Sequence, residues 1–470
     1  MARIETDVCV IGGGSGGLSV AAGAVQMGAR VVLLEGGKMG GDCLNHGCVP
    51  SKSLLAAARR AQGMGGGLGV AGVAPEVDFG AVKDHVANVI AQIAPHDSVE
   101  RFEGLGVRVI RAHGRFLAPH TVAAGGDEIT ARRFVIATGS RPAIPPVTGL
   151  DAVDYLTNET IFALRTPPAH LVILGGGPIG IEMAQAHRRL GSAVTVIEAA
   201  AALGREDPEL AAVTLEKLRR EGVEFIEQCP AARVDRDDAQ ITITLGDGRA
   251  VSGSHLLVAT GRRPALDGLG LDAAGIAHDA GGVRVDRRLR STNLRVHAIG
   301  DAAGQGQFTH LAGYHAGIVI RAMLFALPAR ARSDHIPRVT YTDPELAQVG
   351  LTEAEARARH GDRVEVVRAH YADNDRARAE GRGDGLIKVV VLRGRPVGAG
   401  IAGAQAGELI GVWALALSAR LKMSAIAGMV APYPTLGEIS KRAAGAYFSP
   451  RLFGNTRIRR VVGLVQRFLP

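Results

Sequence analysis

The first informative segment of the chain, residues 7–20, reads Asp7-Val8-Cys9-Val10-Ile11-Gly12-Gly13-Gly14-Ser15-Gly16-Gly17-Leu18-Ser19-Val20. Its apolar run 7–11 predicts a buried parallel strand, and the small residues that follow predict a helix over 18–27. A second strand is expected over 30–34, and it ends in Glu35. A strand, a G-x-G-x-x-G turn, a helix, a strand and a terminal acid are together typical of a dinucleotide-binding unit.

Each conspicuous residue of this unit has a physical reason. Gly12 permits the tight turn, Gly14 lets the backbone approach a pyrophosphate, and Gly17 lets the helix pack closely on the strand. The helix N-terminus offers unpaired N–H groups and positive dipole to phosphates. Glu35, at the end of the second strand, can accept hydrogen bonds from both ribose hydroxyls.

The same unit recurs later in the chain. The corresponding residues are Gly12 and Gly175, Gly28 and Gly191, and Glu35 and Glu198, each pair 163 positions apart. One such motif would be weak, because glycine-rich turns are common in a chain with 63 glycines. Two copies with the same internal spacing predict that two dinucleotides are bound.

Three further apolar strands end in turns. Residues 134–140 (Phe-Val-Ile-Ala-Thr-Gly-Ser) and 256–262 (Leu-Leu-Val-Ala-Thr-Gly-Arg) share a Thr-Gly turn that can come close to a nucleotide. Residues 292–299 end in Gly300-Asp301. Alone, this Gly-Asp pair is typical of an ordinary turn with a helix cap.

Composition excludes several classes of protein. A chain of 470 residues exceeds one hydrophobic core, so two to four domains are expected. The net charge is +8, but residues 439–470 alone carry seven Lys or Arg and no Asp or Glu, so the excess belongs to a C-terminal tail and nucleic-acid binding is not expected. With 47% hydrophobic residues and no linker-type repeat, disordered and fibrous classes are excluded.

The chain gives no membrane or export signal. No apolar run approaches the roughly 18–20 residues that a membrane helix requires, and Met1 leads within a few residues into a strand. We therefore expect a cytoplasmic protein.

Two of the four cysteines, Cys43 and Cys48, lie beside the first predicted nucleotide site. Four cysteines cannot build a disulfide scaffold, so any disulfide is expected to be catalytic or redox-sensing. With Pro50 two residues on, the segment predicts about one helical turn, which brings the sulfurs near enough to bond. Two buried cysteines without a role are the alternative for an isolated C-x4-C pair. No metal site is predicted, because no second Cys or His pair has usable spacing.

With these motifs together, the chain resembles the FAD-dependent pyridine nucleotide-disulfide oxidoreductases, the family of lipoamide dehydrogenase, glutathione reductase and mercuric reductase. The resemblance implies an α/β fold with two Rossmann-like nucleotide-binding domains and a C-terminal α+β dimerisation domain. The implied domains are an FAD-binding domain at 1–147 and 267–333, an inserted NAD(P)-binding domain at 148–266, and an interface domain with a basic extension at 334–470. Segment 336–350 resembles the opening of the family's dimerisation domain, so a homodimer is implied.

The resemblance also implies two sets of binding residues. FAD would contact Gly12, Gly14, Ser15, Gly17, Glu35, Gly41, Asp42, Lys52, Gly114, Thr138, Gly139, Gly300 and Asp301. NADH, or else NADPH, would contact Gly175, Gly177, Pro178, Ile179, Gly180, Glu198 and Gly261. Glu198 favours NADH because its carboxylate would repel a 2′-phosphate, although Arg205 is near enough in sequence to clamp that phosphate.

In the family's mechanism, electrons pass from the nicotinamide through the flavin to a disulfide, here Cys43–Cys48, and then to a small-molecule disulfide or dithiol. Cys48 resembles the thiol that contacts the flavin as a charge-transfer thiolate, and Cys43 the interchange thiol that attacks the substrate. Lys52 and Glu182 match an ion pair beside flavin N5, where a fixed cation would stabilise the reduced flavin. The alternatives are a helix-surface lysine and a solvated glutamate.

Two positions depart from the family pattern. Tyr433 stands where disulfide reductases usually carry the histidine of a His-Pro-Thr segment, and Glu438 matches the glutamate that orients it. A phenol with a pKa of about 10 accepts protons poorly at neutral pH compared with an imidazole of about 6.5, so slow reduction of glutathione disulfide or lipoamide is expected. Packing at the dimer interface is the alternative for Tyr433. Asp42 replaces the usual threonine, and its charge should disfavour the Cys43 thiolate.

Mercuric reductases also have tyrosine in this region, so metal-ion reduction is an alternative activity. That group typically ends in a vicinal cysteine pair, whereas this chain ends Gln466-Arg467-Phe468-Leu469-Pro470. Cys9 and Cys229 are expected at core or loop positions, so efficient mercury reduction is not expected. A redox-sensing flavoprotein that signals through the basic tail is a third hypothesis.

The basic tail, residues 451–470, mixes apolar residues with cations and can lie on an anionic membrane surface. The protein would then be peripheral to the membrane, with a quinone or a membrane partner as electron acceptor. A basic solvated helix packed on the dimer is the alternative, and the shortness of the segment favours it.

Overall fold

The computed structural model describes residues 2–238 and 240–468. Leu469 and Pro470, which end the basic tail, and Met1 lie outside the described residues. The chain divides into two compact units. The first comprises the chain up to Gly65, Val73–Ala199 and Phe225–Arg332, and the second comprises Gly66–Gly72, Ala200–Glu224 and the chain from Ser333. This division is coarser than the four expected domain segments, whose boundaries stay predictions.

The strands in chain order are β1 (Arg3–Ile11), β2 (Val31–Leu34), β3 (Arg108–Ile110), β4 (Arg115–Ala118), β5 (Thr121–Ala124), β6 (Asp127–Ile136), β7 (Ser140–Pro142), β8 (His170–Leu174), β9 (Ala193–Ile197), β10 (Val223–Ile226), β11 (Ala231–Asp237), β12 (Gln240–Leu245), β13 (Ala250–Gly253), β14 (His255–Val258), β15 (Arg262–Pro264), β16 (His278–Asp279), β17 (Gly282–Val283), β18 (Val296–Ala298), β19 (Arg338–Thr340), β20 (Glu345–Gly350), β21 (Val364–His370), β22 (Leu386–Leu392) and β23 (Arg395–Gly403). The α-helices are α1 (Ser15–Gln26), α2 (Gly41–Asn45), α3 (Cys48–Gly63), α4 (Phe79–Ile93), α5 (Val99–Gly104), α6 (Pro178–Arg189), α7 (Pro208–Arg220), α8 (Thr309–Leu324), α9 (Glu353–His360), α10 (Asp375–Ala379), α11 (Ala406–Ser418), α12 (Met423–Ala427), α13 (Glu438–Phe453) and α14 (Thr456–Phe468).

The larger sheet of the first unit has the order β3-β2-β1-β6-β5-β4, and β18 also pairs with β6. Strand β1 runs parallel to β2, from Val8 opposite Val31 to Ile11 opposite Leu34, so α1 is the crossover of a βαβ unit. The apolar end of β1 is buried because a parallel strand is covered on both faces. This strand begins at Arg3, earlier than predicted, because its polar first half also pairs with β6.

The second Rossmann-like sheet has the order β10-β9-β8-β14, with β8 parallel to both of its neighbours. The 163-residue repeat recurs in three dimensions. Strands β1 and β8 end at Ile11 and Leu174, and helices α1 and α6 begin at Ser15 and Pro178. The predicted strand, turn, helix and strand are therefore confirmed in both copies.

The two Thr-Gly turns lead into short strands that pair with each other. Strands β7 and β15 form an antiparallel ladder in which Ser140 lies opposite Pro264 and Arg262 opposite Pro142. The ladder brings the residues after both turns together, although they are far apart in sequence.

The second unit is built on an antiparallel sheet of order β19-β20-β23-β22-β21. Helices α7 and α11 contact β23, and α13 contacts β21. The buried core of this unit includes Trp413, Tyr371 and Ile401. The predicted C-terminal α+β domain is confirmed. Among the described helices, none is both long enough and apolar enough to cross a lipid bilayer.

Candidate active site

The turn between β1 and α1 leaves room for backbone only. Gly12 has a φ of +110°, and a Cβ there would lie 2.4 Å from the Ala137 carbonyl oxygen. A Cβ on Gly17 would lie 1.9 Å from the Gly12 oxygen. By contrast, a Cβ on Gly14 would meet nothing closer than the Cα of Gly41 at 3.8 Å. Gly12 and Gly17 are thus fixed by packing, whereas the backbone at Gly14 stays accessible.

The turn between β8 and α6 repeats this geometry. Gly175 has a φ of +109°, a Cβ on Gly180 would lie 2.0 Å from the Gly175 oxygen, and Gly177 has nothing within 4 Å of a Cβ. Pro178 occupies the first position of α6, where its missing N–H leaves no intrahelical bond unmade. Ile179 follows it and is partly exposed.

The acids that end β2 and β9 both face their glycine turns. Glu35 accepts hydrogen bonds from the backbone N–H of Gly13 at 2.6 Å and of Gly37 at 2.5 Å. Glu198 accepts one from the N–H of Gly176 at 2.7 Å. The equivalent contacts in both copies hold the carboxylates at the place where a ribose is expected to lie.

Cys43 and Cys48 do not share the single helical turn that was expected. Cys43 lies in α2, whereas Cys48 is the first residue of α3. Helix α2 ends because the Asn45 side chain donates back to the carbonyls of Met39 and Gly41 at 3.0 and 2.8 Å. Pro50 then falls in the first turn of α3, where a missing N–H is tolerated.

The two thiols nevertheless contact each other. Both are free, and their side chains share a hydrogen bond. The Sγ of Cys48 also lies 3.5 Å from the Oγ1 of Thr309, the first residue of α8. The hydrogen bond from Cys43, with help from Thr309 and the charge of Lys52, lowers the pKa of Cys48 to about 6, against partial desolvation of the thiol by neighbouring groups. The same hydrogen bond, together with burial, raises the pKa of Cys43.

Lys52 and Glu182 form an ion pair beside these thiols. The Nζ of Lys52 lies 2.9 Å from the Oε2 of Glu182, whose side chain is only 6% exposed. Lys52 is four residues after Cys48 on α3, so both project from one helix face. Its charge lowers the pKa of Cys48, whereas Glu182 raises it. The two members of the pair therefore have opposite effects on the ionisation of Cys48.

Asp42 belongs to a polar chain that links both Thr-Gly turns. Its Oδ1 lies 3.2 Å from Arg262 and 3.0 Å from the Nδ2 of Asn158. Arg262 donates to the Oγ of Ser140 at 2.7 Å, and that hydroxyl donates to Asp301 at 2.5 Å. The charge of Asp42 is thus paired with Arg262. The pKa of the neighbouring Cys43 is raised, which is the expected direction, and its hydrogen bond with Cys48 and its burial are the largest causes.

Other expected cofactor-binding residues lie around this chain. The hydroxyl of Thr138 is buried without a hydrogen-bond partner among the described residues. Burial raises the pKa of Asp301, against the hydrogen bond from Ser140. Gly300, next to it, donates its N–H to the Nδ1 of His315 at 3.2 Å. Gly114 is buried, and a Cβ there would lie 2.7 Å from Leu34.

Tyr433 and Glu438 belong to the second unit. The Tyr433 side chain is exposed, and its hydroxyl donates to Asp375 at 3.1 Å. This hydrogen bond raises the pKa of Tyr433. Glu438 is the first residue of α13, and its Oε2 is buried without a partner among the described residues.

Sequence reasoning missed four residues of this site: Thr309, Asn158, Ser140 and Arg262. The last two follow the Thr-Gly turns directly, so the echo between 134–140 and 256–262 carried a signal for them. Thr309 and Asn158 carry no local signal, because only the folded chain brings them to the cysteines and to Asp42.

Comparison with known families assigns almost the whole chain. Residues 6–316 match the family described as pyridine nucleotide-disulphide oxidoreductase, and residues 336–444 match the dimerisation domain of the same family.

Alignments with two individual relatives span nearly the full length of both chains. A mercuric reductase of Streptomyces lividans is 35% identical over 463 residues, covering 94% of this chain and 96% of the relative. A dihydrolipoyl dehydrogenase of Bacillus subtilis is 32% identical, covering 92% and 96%.

Two solved structures share the fold. The HOCl-induced flavoprotein disulfide reductase RclA from Escherichia coli is 28% identical, with a TM-score of 0.84 over 93% of this chain and 99% of that one. LpdA from Mycobacterium tuberculosis is 27% identical, with a TM-score of 0.85 over 95% and 99%. Together with the two nucleotide turns and the thiol pair, these matches identify the chain as an NAD(P)H-dependent, FAD-containing enzyme of the pyridine nucleotide-disulphide oxidoreductase family.

Proposed function

We propose that the protein transfers electrons from NADH through FAD to the Cys43–Cys48 pair and on to a small-molecule disulfide, which is reduced to a dithiol or to two thiols. The observation that carries the proposal is the shared hydrogen bond of the two thiols, within reach of the Lys52–Glu182 ion pair. A thiolate at Cys48, a proton on Cys43 and a nearby cation form the arrangement that a dithiol-disulfide exchange centre needs.

The residues of the first turn fit FAD. The buried hydroxyl of Thr138 has no partner among the described residues, the backbone at Gly14 is open, and the N-terminus of α1 has no side-chain cap. A dinucleotide would supply acceptors for each of these groups. The residues that would hold it are Gly12, Gly14, Ser15, Gly17, Glu35, Gly41, Asp42, Lys52, Gly114, Thr138, Gly139, Gly300 and Asp301.

When FAD is bound, it would relay two electrons from the nicotinamide to a disulfide. Cys43 and Cys48 then hold those electrons as a dithiol with one proton on Cys43. Cys43, once deprotonated, attacks a substrate disulfide and releases one thiol. Cys48 next attacks the Cys43 sulfur, releases the second thiol and restores the protein disulfide. The sum is NADH, one proton and one disulfide giving NAD⁺ and two thiols.

Tyr433 stands where the family's histidine is expected, and the deprotonation of Cys43 would therefore be the weak step. The pKa of Cys43 is raised, so the exchange requires a base. The hydroxyl of Tyr433 already donates to Asp375, and its pKa is raised further by this contact, so Tyr433 is a donor rather than a base. We therefore propose slow turnover with small disulfides.

Reduction of a soft metal ion is the second candidate, because it needs two thiolates and no imidazole relay. The 35% identity to a mercuric reductase favours it, as does the existence of a Cu(II) complex of RclA. Two electrons from NADH would reduce Hg(II) to Hg(0) with release of one proton. The basic tail 451–470 contains no cysteine, histidine or tyrosine, so it would add no redox or proton-transfer group to either reaction.

Glu198 supports NADH as the donor over NADPH, because a carboxylate at the ribose position repels a 2′-phosphate. Arg205 lies in the second unit, is exposed, and its carbonyl accepts from Arg338 at 3.3 Å. The NAD(P)-binding residues would be Gly175, Gly177, Pro178, Ile179, Gly180, Glu198 and Gly261. The matched dimerisation domain supports a homodimer.

Oxidation of NADH in the presence of separate acceptors tests the proposal. We expect turnover with glutathione disulfide, lipoamide or another small disulfide that is lost in both Cys43→Ser and Cys48→Ser. Turnover with Hg(II) or Cu(II) alone would favour the second candidate. Undiminished turnover in the cysteine variants would overturn both.

A further inference from the structure

The terminal helix α14 is an amphipathic helix with no buried residue. It begins after Gly454, where the Oδ1 of Asn455 accepts from the N–H of Arg457 at 3.0 Å and of Ile458 at 3.3 Å. All residues of Thr456–Phe468 are exposed, so none of them enters the core of the second unit. Within the described part of the chain, the helix is therefore capped at its start, and none of its side chains is buried.

Its apolar residues form one continuous stripe. Ile458, Val461, Val462, Val465 and Phe468 follow the spacing i, i+3, i+4, i+7 and i+10, which places them on one helix face. Their exposed fractions run from 37% at Ile458 to 80% at Phe468. An exposed stripe of this kind marks a surface that another phase or another molecule covers.

The charge around the stripe has one sign. Arg457 lies beside it, Arg459, Arg460 and Arg467 lie on the remaining helix surface, and residues 439–470 contain no acidic residue. An apolar stripe on a helix whose charges are all cationic matches the boundary of an anionic bilayer, where acyl chains meet phosphate headgroups. A second copy of the helix would instead place arginines against arginines, which is unfavourable.

The position of the helix also separates it from the family's dimerisation domain. That match ends at residue 444, twelve residues before α14 begins. Thirteen helical residues are about 20 Å long, too short to span a bilayer. A helix of this length can lie in the plane of the interface with its apolar face inserted.

We propose that α14 docks the enzyme on anionic lipid, with the stripe from Ile458 to Phe468 inserted among acyl chains and the four arginines in contact with headgroup phosphates. The proposal goes beyond the electron path and does not depend on it. It assigns a place of action, the surface of an anionic membrane, to an enzyme whose catalytic groups lie elsewhere in the chain.

Flotation of the full-length, FAD-loaded protein with vesicles tests this proposal. We expect flotation with phosphatidylcholine vesicles that contain phosphatidylglycerol, little with phosphatidylcholine alone, and release at high salt. Arg459→Gln with Arg460→Gln should weaken the partition coefficient about 25-fold, since each cation near the surface contributes about five-fold. Arg459→Lys with Arg460→Lys keeps the charge and should keep binding. Val465→Ser with Phe468→Ser should lower binding by about ten-fold or more.

These substitutions leave the folded core intact, because α14 buries no side chain. Flavin absorbance and NADH oxidation should therefore be unchanged, and failure of the electron path would be recognised separately. Absence of flotation, or equal flotation on neutral vesicles, would overturn the proposal. A lower mass of the Val465→Ser, Phe468→Ser protein in sedimentation, without vesicle binding in the parent, would assign the stripe to a second copy and would also overturn it.

Discussion

The contacts of Cys48 in the folded chain favour its thiolate. Its pKa is lowered to about 6, first by the hydrogen bond from Cys43, whereas a free thiol titrates near about 8.5. The long-wavelength absorption that a thiolate gives beside oxidised flavin should therefore persist above about pH 6 and disappear as the pH falls below it. A stopped-flow pH titration of the two-electron-reduced enzyme measures this.

Three variants separate the roles of the thiols in that titration. Cys48→Ser should abolish the absorption. Cys43→Ser keeps a hydroxyl donor beside Cys48 and should keep the absorption. Cys43→Ala removes the donor and should raise the apparent pKa of Cys48. An unchanged absorption in Cys48→Ser would contradict the assignment of this sulfur to the flavin.

Substitutions of Lys52 and Glu182 are expected to shift the pKa of Cys48 in opposite directions. The cation lowers the pKa of Cys48 and the carboxylate raises it. Lys52→Met should therefore raise the apparent pKa of the long-wavelength absorption, and Glu182→Gln should lower it. A merely structural role of the pair would shift both variants in the same direction, which the same titration would reveal.

Tyr433 predicts a gain of function. Under the proposed function, an imidazole at position 433 would supply the base that deprotonation of Cys43 requires, whereas the phenol is a donor to Asp375. Tyr433→His should raise kcat for a small disulfide by about ten-fold or more. Tyr433→Phe, which removes the hydroxyl without adding a base, should give no gain. If histidine gave none either, proton removal from Cys43 would not limit turnover.

At the scale of single elements, the β-strand, turn and helix of each nucleotide unit could be predicted, because their signals are local. The 163-residue spacing predicted that β8 corresponds to β1 and that α6 corresponds to α1. The division of the redox segment into α2 and α3 could not be predicted, since it depends on the side chain of Asn45 bonding back to two carbonyls. The polar chain from Asp42 to Asp301 was also missed, because its members are distant in sequence.

The same repeat supplies a matched test of nucleotide choice. Glu198→Gln removes the charge that would repel a 2′-phosphate, so the ratio of kcat/KM for NADPH to that for NADH should rise about ten-fold or more. Glu35→Gln changes the equivalent acid in the first copy and should leave this ratio unchanged. Steady-state kinetics with both nucleotides decide it. An unchanged ratio in Glu198→Gln would remove the charge argument for NADH.

On the scale of the whole molecule, the second unit holds a buried cation that ties α7 to its sheet. Lys388 is 6% exposed and lies 2.9 Å from Asp207, 3.0 Å from Glu209 and 2.8 Å from Glu353. Lys388→Met would leave buried Asp207 without its cation and should lower the free energy of unfolding of this unit by about 3–5 kcal/mol. Arg368→Gln, which breaks a half-exposed pair with Glu209, should cost about 0–1 kcal/mol.

Urea unfolding followed by the fluorescence of Trp413 measures both effects, because this single tryptophan lies in the core of the second unit. Acid adds a sign. The pKa of Glu209 is lowered to about 2, first by its hydrogen bond with Arg368. Its stabilisation is therefore present above its unfolded pKa of about 4.3 and is lost as the pH falls towards 2. Equal destabilisation by the two variants would contradict the account of Lys388.

In the proposed electron path, NADH and FAD deliver two electrons to one pair of thiols. Anaerobic titration of the purified enzyme with NADH, with free thiols counted at each step, tests this path. We expect the first equivalent of NADH to produce two new thiols and the long-wavelength absorption while the flavin stays oxidised, and the second equivalent to bleach the flavin. Bleaching of the flavin by the first equivalent, with no new thiol, would contradict the claim.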